Sequence, residues 1–202
     1  MTKFAKVISF LFHPLIMPIF GLYLVFNTDT YLTYSVPPLS KKIVYLVVFI
    51  FTILLPVINA IFLMKKGTIR SLNLETIKER KFPYVLAIVY YCFAYFFLKQ
   101  IPLPPIVYML ILGAILSIII AFIINLRWKI SMHMIGIGGV LGAMIGISQR
   151  FMVDISAVIM LLILCAGFIG FSRLKLNAHC PAQIYTGFFL GIISVLIMIL
   201  GV

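Results

Sequence analysis

Charge is scarce in this sequence: of its 202 residues, only 10% are Asp, Glu, Lys or Arg. Water-soluble domains carry about 25% charged residues, so this chain cannot clothe a folded surface that faces water. Acid is scarcer still, 4 Asp and Glu against 16 Lys and Arg. Glu75 and Glu79 share one polar stretch while Asp29 and Asp154 stand far from it, so the carboxylate cluster that a magnesium site requires is missing. Cysteine is limited to Cys92, Cys165 and Cys180, a spacing that matches neither a disulfide nor a metal framework. Cys92 and Cys165 fall in apolar runs as packing residues, and Cys180 follows a histidine without partner ligands. Low-complexity tracts, sequence repeats and an evident inverted repeat are also wanting, which disfavours a small transporter.

Apolar residues take the place of charge, with 64% of the chain hydrophobic. A bilayer-spanning helix needs about 20 predominantly apolar residues. Seven segments approach this length, roughly 8–26, 43–64, 83–98, 104–126, 133–149, 152–171 and 182–201. The first contains His13, Pro14 and Pro18, so it is expected to kink, or to dip into the membrane and return, and to be retained rather than cleaved as a signal peptide. The expected fold is all-α, a polytopic membrane helical bundle of six to seven transmembrane helices forming one domain over 1–202.

Alternating sides gather the N-terminus and the polar stretches 65–82, 127–132 and 172–181 on one face of the membrane. Lys3, Lys6, Lys65, Lys66, Arg70, Lys78, Arg80, Lys81, Arg127, Lys129, Arg173 and Lys175 lie there, against Lys41, Lys42, Lys99 and Arg150 opposite. By the positive-inside bias this basic face is cytoplasmic, although a phosphate site on it would inflate the count for another reason. The net charge of +12 therefore points to lipid headgroups or phosphate. Nucleic acid is not an expected partner, since no contiguous hydrophilic surface exists to carry such a patch.

Ionisable groups at the membrane edge are costly and functional by default, and three clusters of them converge on the basic face. The first is Lys78, Glu79, Arg80, Lys81, Phe82 and Pro83; the second runs from Arg127 through Lys129 and Ser131 to His133; the third runs from Ser172 and Arg173 to His179, Cys180 and Gln183. Guanidinium forks and helix N-termini suit a phosphate. Histidine serves as nucleophile or proton donor near neutral pH. Metal-free phosphoryl transfer on histidine is the chemistry this set could perform. His13, in a proline-rich apolar segment, reads instead as a structural histidine at a kink. Arg150 and Asp154, four apart, read as an interfacial ion pair. Gly138, Gly142 and Gly146 in the fifth segment, and Gly187 and Gly191 in the seventh, are spaced for close helix packing, which would draw His133 and His179 toward one pocket.

The third cluster resembles the closing signature of the type-2 phosphatidic acid phosphatase superfamily, the membrane lipid phosphate phosphatases: Ser-Arg, five residues, His, three residues, Asp. Here Ser172-Arg173 is followed by five residues, His179, three residues and Gln183. The family's Pro-Ser-Gly-His signature is similar to Ser131-Met132-His133, one pair of membrane helices before His179. The resemblance covers about 78–201. It implies that His179 attacks phosphorus, that His133 protonates the leaving lipid oxygen, and that Arg173 with basic residues of the first cluster (Arg80, Lys78, Lys81) holds the phosphate oxygens, with Ser131 as a hydroxyl donor. Arg127 and Lys129 are alternatives for the first cluster's role, because Phe82 precedes Pro83 where the family has Arg. The family's closing Asp is Gln183 here; its amide can fix a histidine tautomer but brings no full charge. The implied function is a lipid phosphatase or phosphotransferase of a bacterial inner membrane, with a phosphorylated lipid as partner and no cofactor. The alternative is a catalytically silent relative that binds phosphorylated lipid or serves as a membrane scaffold.

Overall fold

In the computed structural model, which describes residues 1–67 and 76–201 and leaves the side chains of Ile77 and Lys78 undescribed, the described residues are mostly helical and include no strand. The helices are α1 (Thr2–Leu11), α2 (Met17–Asn27), α3 (Tyr31–Ser35), α4 (Pro38–Phe49), α5 (Leu55–Lys65), α6 (Ile77–Leu98), α7 (Pro105–Asn125), α8 (Met132–Phe151), α9 (Ser156–Lys175) and α10 (Pro181–Leu200). A π-helical turn, Ile50–Leu54, joins α4 to α5. Pro56 explains it: proline has no N–H for the carbonyl four residues back, and the ladder loosens just before the ring.

Six helical stretches among the described residues are long and apolar enough to cross a membrane: Pro38–Lys65, Glu79–Leu98, Pro105–Asn125, Met132–Phe151, Ser156–Lys175 and Pro181–Leu200. Their outer surfaces expose Phe93, Phe96, Leu161, Leu164, Phe189 and Ile197. Such a surface belongs in hydrocarbon, where only closed backbone hydrogen bonding survives. The protein is an integral membrane protein with an all-α, polytopic bundle fold.

The first of the seven expected segments does not form a spanning helix; it breaks at His13 and Pro14, where a kink is expected, and the break shapes the site. Helix α1 stops at Leu11, His13-Pro14 makes a turn, and α2 restarts at Met17 with Pro18 in its first turn. Phe4 meets the Phe168 ring and Ser9 meets Arg173, so α1 runs in the same sense as α9. Gly136 faces Met17 and Gly21 faces Val140, so α2 runs in the same sense as α8. The two short helices thus make a hairpin with its corner at the end of the bundle that carries His133 and Arg173.

Helices α8 and α10 form the tightest seam. A Cβ placed on Gly142 would lie 2.5 Å from the Ile192 carbonyl oxygen, and one on Gly187 would lie 2.8 Å from the Ser131 carbonyl oxygen. Gly138 and Gly191 likewise face backbone, of Phe188 and Ile135. With lipid as apolar as the core, such close approach is what van der Waals packing between membrane helices uses, and the glycine spacing anticipates it.

The expected Arg150–Asp154 pair is not what the structure contains. Arg150 donates to the Ile199 carbonyl at 3.0 Å, and Asp154 accepts from the Ser156 N–H at 3.0 Å. Between them α8 ends, with Met152 in the left-handed region at φ 53°, so four-residue spacing no longer means one helical face.

Candidate functional site

Three helix ends meet at one end of the bundle, and local backbone chemistry sets each. Helix α9 closes with a left-handed turn. Asn177 takes φ 50°, the Ala178 N–H reaches back to the Arg173 carbonyl at 3.1 Å, and the Asn177 N–H reaches the Leu174 carbonyl at 2.9 Å. This is a Schellman cap with asparagine in the place glycine usually holds. It reverses the chain within a few residues, so Arg173 on the last turn of α9 and His179 after the turn serve the same space. Helix α10 then starts with Pro181 at its head, where a missing N–H costs nothing.

Gln183, in the first turn of α10, does two jobs with one oxygen. Its Oε1 accepts from the Cys180 N–H at 3.3 Å and lies 3.0 Å from His179 Nδ1. An amide oxygen only accepts, so Nδ1 carries the proton and Nε2 keeps its lone pair. His179 is buried, and that burial, with Arg80, Arg173 and Lys129 adding to it against the raising effect of the Gln183 hydrogen bond, lowers its pKa from 6.5 to about 3. It is a neutral imidazole at physiological pH.

His133, in the first turn of α8, points its Nε2 at the Ser9 carbonyl at 3.1 Å. A carbonyl cannot donate, so this nitrogen bears the proton. The His13 ring stands edge-on to His133, centroids 5.7 Å apart, and His133 is within electrostatic reach of Arg173, His13 and His179. Arg173 Nη1 donates to the Ser9 hydroxyl at 3.3 Å. Arg80 is buried and donates from Nη1 to the Ile130 carbonyl at 3.0 Å, one residue before Ser131, whose N–H contacts the Gln183 carbonyl at 3.4 Å. The cluster therefore collects one residue or more from each of α1, α6, α8, α9 and α10.

Two buried polar atoms here have no hydrogen-bond partner among the described residues: Ser131 Oγ and Arg173 Nε. Buried donors are almost always satisfied, and a phosphate oxygen would serve both. Of the four carboxylates, Asp29 accepts from Tyr34, Asp154 from Ser156, and Glu79 from the Thr76 N–H in a capping box. Glu75, like Arg70, lies outside the described residues. Among the described residues no three of His, Cys, Asp and Glu are grouped to hold a metal ion.

Of the residues singled out from sequence, His179, His133, Gln183, Arg173, Ser131, Arg80 and Lys129 come together. Lys81 and Arg127 are exposed, and no described contact joins them to the cluster. The side chain of Lys78 is undescribed. Two residues were missed. His13 does stand at the kink, its Nδ1 accepting from the Leu15 N–H at 3.3 Å, but it also lines the cluster, where burial and then Arg173 hold its pKa below 6.5. Ser9 gave no signal at all. No family model, curated protein or solved structure matches this chain.

Proposed function

We propose that this protein is a membrane lipid phosphatase or phosphotransferase acting on a lipid phosphate or diphosphate through a phosphohistidine, a divergent relative of the type-2 phosphatidic acid phosphatases. One observation carries the reading. A neutral His179, its Nδ1 proton committed to Gln183, sits near Arg173 and Ser131, whose buried Nε and hydroxyl lack hydrogen-bond partners among the described residues. The free Nε2 lone pair would attack phosphorus as the bond from phosphorus to the lipid oxygen breaks. His133, carried to the imidazolium by the charge of the bound phosphate, would pass a proton to that leaving oxygen and take one back from the water that attacks the phosphohistidine. Arg173, Arg80 and Ser131 would hold the equatorial oxygens, where charge is stabilised in a water-poor site. Water would then cleave the phosphohistidine, releasing phosphate and restoring the imidazole. With three of the four carboxylates engaged elsewhere, these steps are written without a metal.

A second reading, a silent relative that binds phosphorylated lipid, is favoured by Gln183 itself. An amide fixes the tautomer of His179 but cannot stabilise imidazolium with a full charge, and loss of the equivalent carboxylate in a serine protease triad costs about 10⁴-fold. Phosphate release by the detergent-purified protein separates the two readings. The panel is phosphatidate, phosphatidylglycerophosphate and prenyl mono- and diphosphates, with chelator present and His179→Ala alongside. Release that disappears in a folded His179→Ala supports catalysis. A folded wild-type protein that releases nothing while binding a phosphorylated lipid supports the second reading.

A further inference from the structure

An apolar cleft begins beside the cluster and runs into the membrane interior. At its head are Pro14 and Leu15, next to His13, and Met132, next to His133; farther down it passes Gly136 and Val140 and ends against Ala143 and Val195. The opposite wall is α6 and α7, with Ala87 and Ala114 facing the space. Even Ser117 presents no unmet polar group, since its hydroxyl donates to the Gly113 carbonyl of its own helix at 2.9 Å. From Met132 to Ala143 the cleft follows α8 for eleven residues, about 16 Å at 1.5 Å per residue. That is roughly half of a 30 Å hydrocarbon core, the depth of one leaflet.

We propose that this cleft, walled by the N-terminal hairpin and α6–α8, takes one hydrocarbon chain of the lipid whose phosphate meets the His179 cluster. The assignment rests on the functional reading above, which puts a phosphate in the cluster. The head of the cleft is sequence-adjacent to two of the cluster histidines, so a ligand in one continues into the other. Its depth matches a chain entering from the leaflet on the site's side. Ala87 and Ala114 leave the space open, while Gly21 and Gly136 let α2 pack closely on α8 as its wall. The substrate class follows: a phosphorylated lipid with at least one chain of leaflet length, recognised by that chain as well as by its phosphate.

The test uses a phosphatidate probe with a photoreactive group near the end of one long chain, applied to the whole protein in detergent and in vesicles. Ala114→Phe and Ala87→Phe fill the cleft from different helices, so misfolding of one leaves the other informative. Cross-links are expected on α8 and α10 near Ala143 and Val195, and each variant should lower their yield about tenfold or more, a fair return for obstructing an apolar pocket. Phosphate release from a short-chain, water-soluble phosphatidate should change less than twofold. Cross-links confined to the outward faces of α9 or α10, or indifferent to both variants, overturn the assignment, as do cross-links made equally by a long-chain lipid without phosphate. Cleft cross-links without phosphate release from any substrate leave the cleft standing and remove the catalytic reading instead.

Discussion

Substitution of Gly142 by alanine tests whether the α8–α10 seam builds the site. The new Cβ would stand 2.5 Å from the Ile192 carbonyl oxygen and 2.9 Å from Ile192 Cα, both backbone atoms of a helix. Ordinary carbon–oxygen contacts begin near 3.3 Å, so the two helices must part by roughly 0.8 Å at this level. Overpacking of this kind costs about 1–3 kcal/mol, offset by the ~0.5–1 kcal/mol that alanine gains over glycine in a helix. A net loss of about 1–2 kcal/mol corresponds to a fall of roughly 2–8 °C in melting temperature for a chain of this size. The parting also carries His133, at the head of α8, away from Gln183 and His179 on α10; a misplacement near 1 Å can cost about 10²-fold in rate. The control is Gly167→Ala on α9, where a Cβ meets nothing within 4 Å, so stability and activity should hold or rise slightly. Thermal unfolding in detergent and phosphate release read both outcomes. If the two alanine variants behave alike, the seam is not what sets the site.

Gln183→Glu keeps the reach to His179 Nδ1 and adds a charge, so it should raise kcat by about tenfold or more and bring the imidazole pKa up, followed by histidine NMR. Arg173→Lys should lower kcat/KM by about 10²-fold, because an ammonium cannot reproduce a guanidinium fork; a lysine variant as active as wild type would remove Arg173 from phosphate binding. Acid should weaken the fold. His179 titrates at about 3 when folded against 6.5 ordinarily, so the unfolded chain binds more protons in between, and stability is full above pH 6.5 and lost as pH falls toward 3. Melting temperatures measured down the pH scale should show this slope, and His179→Ala should flatten it. Arg150→Ala removes the bond to the Ile199 carbonyl and should cost about 0.5–1.5 kcal/mol while leaving kcat/KM of the distant cluster unchanged.

The spanning helices and the glycine seam were legible because each is a local pattern: long apolar runs, and small residues every four positions. The Ser172 to Gln183 stretch was legible for the same reason, its geometry being set by one cap and one helix start. Arg80 could be suspected but not chosen over Arg127 or Lys81, since only packing across fifty residues, onto the Ile130 carbonyl, decides among them. The roles of Ser9 and His13 were illegible. They depend on contacts spanning more than a hundred residues, which no local pattern announces. The Arg150–Asp154 expectation failed where a left-handed residue, Met152, broke the helical periodicity on which it stood.

The most direct test of the account is to trap the intermediate. The protein would be mixed with phosphorus-labelled phosphatidate or prenyl diphosphate, quenched in alkali, where phosphohistidine survives, and mapped by mass spectrometry. Label is expected on His179, absent from His179→Ala and accumulating in His133→Ala with a substrate whose leaving group needs no proton. Label on another residue, or phosphate release from a wild-type protein that never acquires label, would contradict it.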